Sequence, residues 1–435
     1  MKQILSILAF LLTSLVSNSQ NLMSPSEFLG YDIGTQFSRH HRVVDYFQYV
    51  AAQYPDQVSF NQYGSTYEGR PLFLATVSSK KNMTQIEAIR QTHLAQAEST
   101  ENTESNIGVV WLSYNVHGNE ASSTEASMQT LYELLSQHQD YLDSAVVLID
   151  PCVNPDGRDR YANWFNQQTG SSYDKDPQSI EHSEPWPGGR PNHYLFDLNR
   201  DWTWASQIET QSRLKEYHKW LPHVHVDFHE QGINEPYYFA PAAEPFHEII
   251  TDWQREFQTQ IGQNNAKYFD ANGWLYFTRE RFDLLYPAYG DTYPTYLGAI
   301  GMTYEQAGHG MGGLGVMNDE GKELTLVDRV KHHTVTGLST VEMTSKNVRR
   351  LNHEFKAYFD NNDISVKSYV LRGDADKRDA LMALLDKHQI EYGSAQKSTA
   401  NGYDYEELKN IQWQLGSDDL VVPATQARGK MIKVL

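Results

Sequence analysis

Four short apolar runs constrain this chain more than any other feature. They are IGVVWLSY (107–114), AVVLIDPCV (145–153), HVHVDFHE (223–230) and LGAIGMTYEQ (297–306). Three of them are nearly continuous in apolar or β-branched residues, the pattern of a strand buried on both faces of a sheet, and HVHVDFHE sets Val224, Val226 and Phe228 between polar residues. Helical periodicity occupies 121–137, 205–221 and 246–272 between them. Buried strands separated by helices imply an α/β domain, and we expect three α/β/α layers around a mixed, mostly parallel central sheet. Ahead of this core, 36–60 reads as an amphipathic helix followed by the strand QVSFNQY. Residues 64–79 add a turn and a strand at the sheet edge.

Residues 152–200 are rich in Asn, Pro, Gly and aromatics and read as one long connection, a length usually kept for function. Helical patterning at 327–361 closes the main domain, expected over 20–361. A small α/β unit follows at 362–435, read as strand, helix, strand, with the final KMIKVL as a further strand and the unit incomplete. Residues 1–19 form a signal peptide: Lys2, an apolar stretch at 4–16, then Ser17 and Ser19. That stretch is short of the ~20 residues a bilayer requires. The expected protein is therefore exported, secreted or periplasmic, with no membrane span in the mature chain. Its single cysteine, Cys152, excludes an intramolecular disulfide. A formal net charge of −19 with no Lys/Arg cluster argues against nucleic acid as a partner.

In an open α/β sheet, the C-terminal ends of the strands converge on one crevice. His117 and Glu120 follow the first run, and His229 ends the third. Together they offer two imidazoles and a carboxylate, the donor set of a zinc site that keeps a position open for water. A lone H-x-x-E pair is more often a solvated turn than a metal site. His223, His225 and Asp227 lie deeper and read as core polar groups, and Glu230 as a local hydrogen-bonding residue. Glu305, at the end of the fourth run, is the candidate general base. Gly118 is expected to give the turn its freedom.

The motifs HGNE (117–120), NPDG (154–157), DLNRDW (197–202), DFH (227–229) and TYEQ (303–306), with YEGRPL (67–72), resemble in order and spacing the zinc carboxypeptidases of the pancreatic A/B type, over roughly residues 24–350. The resemblance implies one zinc ion per chain, held by His117, Glu120 and His229, and Glu305 as general base and acid. It implies that Asp197 orients the first zinc histidine, and that Asn199 and Arg200 bind the free C-terminal carboxylate of a peptide or protein substrate. Tyr286 matches the tyrosine that closes over the substrate, with Tyr289 a close rival.

The chain departs from the family pattern where an arginine normally stabilises the carbonyl oxygen. The corresponding stretch is RDRYANWFNQ, so Arg158 or Arg160 is expected to serve, with Arg160 favoured. Arg190, in WPGGRPNHYLF, is either structural or in touch with substrate. Around 286–296 aromatics dominate without an obvious paired charge. The expected activity is hydrolysis of C-terminal peptide bonds. The alternatives are a zinc amidase or peptidase acting on cell-wall peptides or acyl-amino acids, and an inactive binding module on the same fold.

Overall fold

The computed structural model describes residues 22–98, 105–361, 364–395 and 399–435; the expected signal peptide lies outside them. An eight-stranded sheet is built from β1 (Val58–Ser65), β2 (Pro71–Val77), β3 (Gly108–Tyr114), β4 (Ala145–Asp150), β5 (Val224–Gln231), β6 (Tyr237–Tyr238), β7 (Tyr276–Phe277) and β8 (Ile300–Ala307). Its order is β1-β2-β4-β3-β5-β8-β6-β7. The central pairs β4–β3, β3–β5 and β5–β8 are parallel, whereas β1–β2, β2–β4 and β8–β6 are antiparallel. The sheet is thus mixed with a parallel centre, as expected. The outermost strand on one side is β1, and β2, expected at the edge, lies one position in.

Alternation along each strand sends side chains to two different cores. Val110, Leu112 and Tyr114 of β3 and Val224, Val226 and Phe228 of β5 face α1 (His40–Gln53), α3 (Ser122–Ser136), α6 (Asp252–Asn272) and α7 (Leu326–Lys346). Val109 and Trp111 of β3 and Val146 and Leu148 of β4 face α2 (Ile86–Ala97), α5 (Ile208–Trp220) and α8 (Val348–Tyr358). Each fully buried aliphatic side chain contributes about 1.5–3 kcal/mol. With both faces covered, three of the runs carry no polar alternation and stand out in the sequence, whereas HVHVDFHE alternates, with His225 and Asp227 buried as a hydrogen-bonded pair at 2.9 Å.

Two expectations are corrected. The connection 152–200 contains α4 (Pro155–Gln168), whose N-cap Asn154 accepts a hydrogen bond from the Gly157 amide at 3.0 Å with Pro155 at the first helical position. The NPDG motif is therefore a helix start. At the other end, KMIKVL forms no strand: Gly429–Ile432 is a helical turn that buries Met431 and Ile432. A short apolar run satisfies either period, and here packing chose the helix.

The C-terminal residues form a three-stranded sheet of β9 (Ser368–Leu371), β13 (Leu420–Pro423) and β10 (Gly393–Ser394), a hairpin of β11 (Thr399–Asp404) and β12 (Lys409–Gln414), and α9 (Ala375–Lys387). Leu385, Ile390, Leu420, Val422 and Ile432 make a separate small core. Buried His388 joins this unit to the main domain: Nε2 donates to the Thr203 carbonyl at 2.7 Å, leaving Nδ1 to accept from the Tyr293 hydroxyl at 2.8 Å. Burial pushes its pKa down to about 4, in keeping with a neutral ring. Among the described residues, no helix is long and apolar enough to cross a membrane.

Candidate functional site

Beyond β3 the chain turns through Asn115, whose φ of 59° makes it the left-handed residue of the turn. Its side-chain amide donates to the carbonyls of His117 at 2.7 Å and Glu120 at 3.0 Å, which folds the H-x-x-E segment into a compact loop. Gly118 is required for a different reason than expected. A β-carbon there would lie 2.2 Å from the Gly157 carbonyl carbon and the Arg158 nitrogen; one at Gly157 would lie 2.2 Å from the Gly189 oxygen. Three backbones thus meet at glycines: the ligand turn, the start of α4 and the 186–192 loop. Gly118→Ala is expected to cost about 1–3 kcal/mol through forced displacement and to weaken zinc binding. Urea unfolding and chelator competition measure the two effects, and an unchanged unfolding midpoint would rule out close approach as the reason for this glycine.

The turn and the end of β5 bring His117, Glu120 and His229 together, all buried, with one ligand atom from each within 4.8 Å of the others. Glu120 Oε1 lies 2.8 Å from His117 Nδ1, Glu120 Oε2 lies 2.9 Å from His229 Nδ1, and the two Nδ1 atoms are 3.2 Å apart. The far nitrogens are held from behind. Asp197 Oδ1 is 2.9 Å from His117 Nε2, and Asp227 Oδ2 is 3.7 Å from His229 Nε2. Carboxylates behind the rings favour the Nε2–H tautomers, leaving both Nδ1 lone pairs aimed at one point beside a carboxylate. A cation fits between facing lone pairs, and two nitrogens with one carboxylate oxygen are the donors of a catalytic zinc site.

Burial raises the Asp197 carboxyl, but the hydrogen bond from His117 and the charges of His117, Arg190 and Arg200 outweigh it and hold it well below the usual carboxylate range. Asp227, expected to be only a core group, also reaches a candidate ligand. Its Oδ1 pairs with His225 Nε2 at 2.9 Å. Glu230 stays local, accepting from Ser122 N, His309 N and Arg329 at 2.9, 2.9 and 3.2 Å.

These groups line a cavity of about 470 Å³. The parallel register of β8 and β5 sets Glu305 opposite His229 in the same cavity. Burial pushes the Glu305 carboxyl up to about 8, opposed by the charge of His229 and reinforced by that of Glu120. Asn199 and Arg200 form another wall. Asn199 Oδ1 accepts from the Gly290 amide at 2.8 Å, while the Arg200 guanidinium donates to the Asn199 carbonyl at 2.8 Å and stacks 4.4 Å over Tyr289.

Three expectations about the lining change. Arg160 points away, donating to the carbonyls of Gly188 at 2.9 Å and Asn192 at 3.1 Å. Arg158 is fully buried against Glu125. The arginine that lines the cavity near the ligands is Arg190, 3.2 Å from Glu120 Oε1 and held by Asp197 Oδ2 at 3.0 Å. Tyr286 gives way to its rival: Tyr289 lines the cavity, while the Tyr286 hydroxyl accepts from the exposed Trp204 indole at 3.0 Å. The aromatic stretch also holds an acidic residue, Asp291, which lines the cavity together with Asp283 just ahead of the stretch, and burial pushes Asp291 up to about 6. His309, which the sequence reading missed entirely, lines it as well, with Nδ1 3.1 Å from Glu120 Oε1.

Among solved structures, the fold is similar to a metallo-carboxypeptidase from Burkholderia cenocepacia, with 16% identity, 72% of this chain and 70% of that one covered, and a TM-score of 0.50. It is also similar to thrombin activatable fibrinolysis inhibitor, with 14% identity, 77% and 80% covered, and a TM-score of 0.51. At such identities the likeness is one of fold. The family model of the zinc carboxypeptidases matches residues 43–269, more than half of the sequence. The chain therefore belongs to the zinc carboxypeptidases, a family of metallopeptidases.

Proposed function

We propose that this protein is an exported metallocarboxypeptidase that removes the last residue of a peptide carrying a free C-terminus. The observation that carries the reading is a single cavity holding the His117–Glu120–His229 cluster, Glu305 and the Asn199–Arg200 pair. One zinc ion per chain, held by the cluster, would supply Lewis acidity to the attacking water and the scissile carbonyl. Arg200 presents a planar fork suited to two parallel hydrogen bonds with a carboxylate, and Asn199 adds an amide donor beside it. A chain end held there has its final peptide bond over the metal cluster. Tyr289, stacked on Arg200, covers the bound end.

Glu305 takes the proton of the attacking water, holds it while the carbonyl carbon is tetrahedral, and passes it to the departing amine nitrogen as the C–N bond breaks. A carboxyl raised by burial is matched to both halves of that task. Arg190 places positive charge beside the carbonyl oxygen, the role first given to Arg160. Asp197 holds both His117 and Arg190, so one carboxylate sets the direction of a metal ligand and of the oxyanion donor.

The test compares peptides with free and amidated C-termini. The protein should shorten only the free ones, by one residue, and Arg200→Ala should raise KM by about 10- to 100-fold, the worth of a charge-assisted hydrogen-bonded pair. Equal cleavage of amidated peptides would reject the exopeptidase reading and favour an amidase acting without a recognised chain end.

A further inference from the structure

His309 sits in the run GHGMGG (308–313), where Gly308, Gly310 and Gly313 all have positive φ. It is the non-glycine among these left-handed positions, with φ 42°. A side chain held in that region costs free energy and persists only where its surroundings fix it. The fixing groups are visible: Gly308 N donates to the Gln231 carbonyl at 2.8 Å, His309 N donates to Glu230 Oε2 at 2.9 Å, and a β-carbon at Gly312 would meet Arg329 Nη1 at 2.6 Å. Arg329 in turn pairs with Glu230 at 3.2 Å. The loop therefore aims the imidazole at a chosen place.

That place is Glu120 Oε1, 3.1 Å from His309 Nδ1, so Nδ1 carries the proton and donates. Arg190, from an unconnected loop, reaches the same oxygen at 3.2 Å. Glu120 does not depend on His309 to be held, because its Oε2 accepts from the Glu230 amide at 2.9 Å and its carboxylate stands beside the Nδ1 atoms of His117 and His229 as the third donor of the metal cluster. The side chains of His309 and Arg190 are 42% and 34% exposed over a carboxylate that is 2% exposed, so both donors face the cavity while the oxygen beneath them does not. Two donors from two loops that converge within hydrogen-bond reach of one oxygen form the geometry of an oxyanion hole.

We propose that His309 is a catalytic residue that acts with Arg190 as a second donor to the scissile carbonyl oxygen as that oxygen takes negative charge. The assignment rests on the peptidase reading above. His309 keeps its proton throughout and donates a hydrogen bond that is stronger in the transition state than in the bound substrate, so it acts on kcat more than on KM.

The test uses the full zinc-loaded chain and two variants matched to the backbone. His309→Gly removes the side chain and suits the left-handed φ. His309→Asn also tolerates that φ and sets an amide donor close to the position of Nδ1. The readouts are kcat and KM on a free-ended peptide, zinc content, and affinity for two inhibitors: a phosphonate analogue of the scissile bond and an analogue with methylene in place of the carbonyl. For His309→Gly, kcat and phosphonate affinity should each fall about 10- to 100-fold. KM, zinc content and affinity for the methylene analogue should hold within about threefold, and His309→Asn should recover most of the loss. Undiminished kcat, loss of zinc, equal loss for both inhibitors, or an Asn variant as weak as the Gly variant would each overturn the assignment while leaving an active wild type in place. A zinc-loaded wild type that cleaves no free-ended peptide would overturn the peptidase reading and this assignment with it.

Discussion

Glu305→Gln, with zinc bound, is expected to lower kcat by about 10³-fold, within the range that a positioned general acid–base contributes. That factor corresponds to about 4 kcal/mol of barrier. The replacement keeps the shape of the side chain and its place opposite His229 on β8, so neither zinc content nor the fold should change. What it removes is the ability to accept a proton. Because the group is buried, no bulk water substitutes readily for it at that position. Steady-state kinetics on a free-ended peptide, with metal analysis of the same sample, measure the effect. A variant that kept more than about a tenth of wild-type kcat at full zinc occupancy would be incompatible with Glu305 as the base, given the range for such groups.

Arg158→Met should lower stability by about 3–5 kcal/mol, the cost of leaving one member of a buried ion pair unpaired. Arg158 and Glu125 are both fully buried, with their closest nitrogen and oxygen 2.5 Å apart. Glu125 also accepts from Ser38 N and Ser38 Oγ, each at 2.7 Å, while Arg158 donates to the carbonyls of Ala121 at 2.6 Å and Ser38 at 3.1 Å. The pair ties the approach to α1, the start of α3 and the first turns of α4 into one network just behind the ligand turn. Removing the guanidinium strands the Glu125 charge, so Arg158→Met should be worse than the double replacement Glu125→Leu with Arg158→Met. Denaturant titration of the single and double variants measures this, and a double variant as unstable as the sum of its singles would show that the two residues do not act as a pair.

The central strands were legible in the sequence because burial on both faces leaves long apolar runs. The candidate cluster was legible because His229 stands at the end of a strand and His117 and Glu120 stand between the end of β3 and the start of α3. The start of α4 was hidden by composition: Asn154, Pro155 and Gly157 look like loop residues, although an asparagine cap followed by proline is also how a helix begins. Arg160, first favoured for the carbonyl oxygen, is not among the residues that line the cavity. The helix that NPDG starts turns the Arg160 guanidinium to the carbonyls of Gly188 and Asn192. The available signal was Arg190 lying seven residues before Asp197, the carboxylate already assigned to His117. His309 gave little warning beyond a histidine in a run too rich in glycine to be strand or helix. Asp291 was overlooked because its aromatic neighbours dominate the segment. Contacts between segments distant in sequence decide where these side chains lie, and periodicity carries no information about them.

The meeting of Gly118, Gly157 and Gly189 bears on how such a cavity can diverge. Because three segments distant in sequence touch backbone to backbone there, none can shift without carrying a metal ligand or Arg190 along with it. Gly290 is held in the same way on another wall, where a β-carbon would fall 1.6 Å from Asp227 Oδ2. Under the proposed function, new substrate preferences are therefore open through side-chain exchange at cavity-lining positions such as Asp283, Tyr289 and Asp291. They are closed to insertions or backbone drift at the glycines, so the lineage inherits a fixed frame with a replaceable lining.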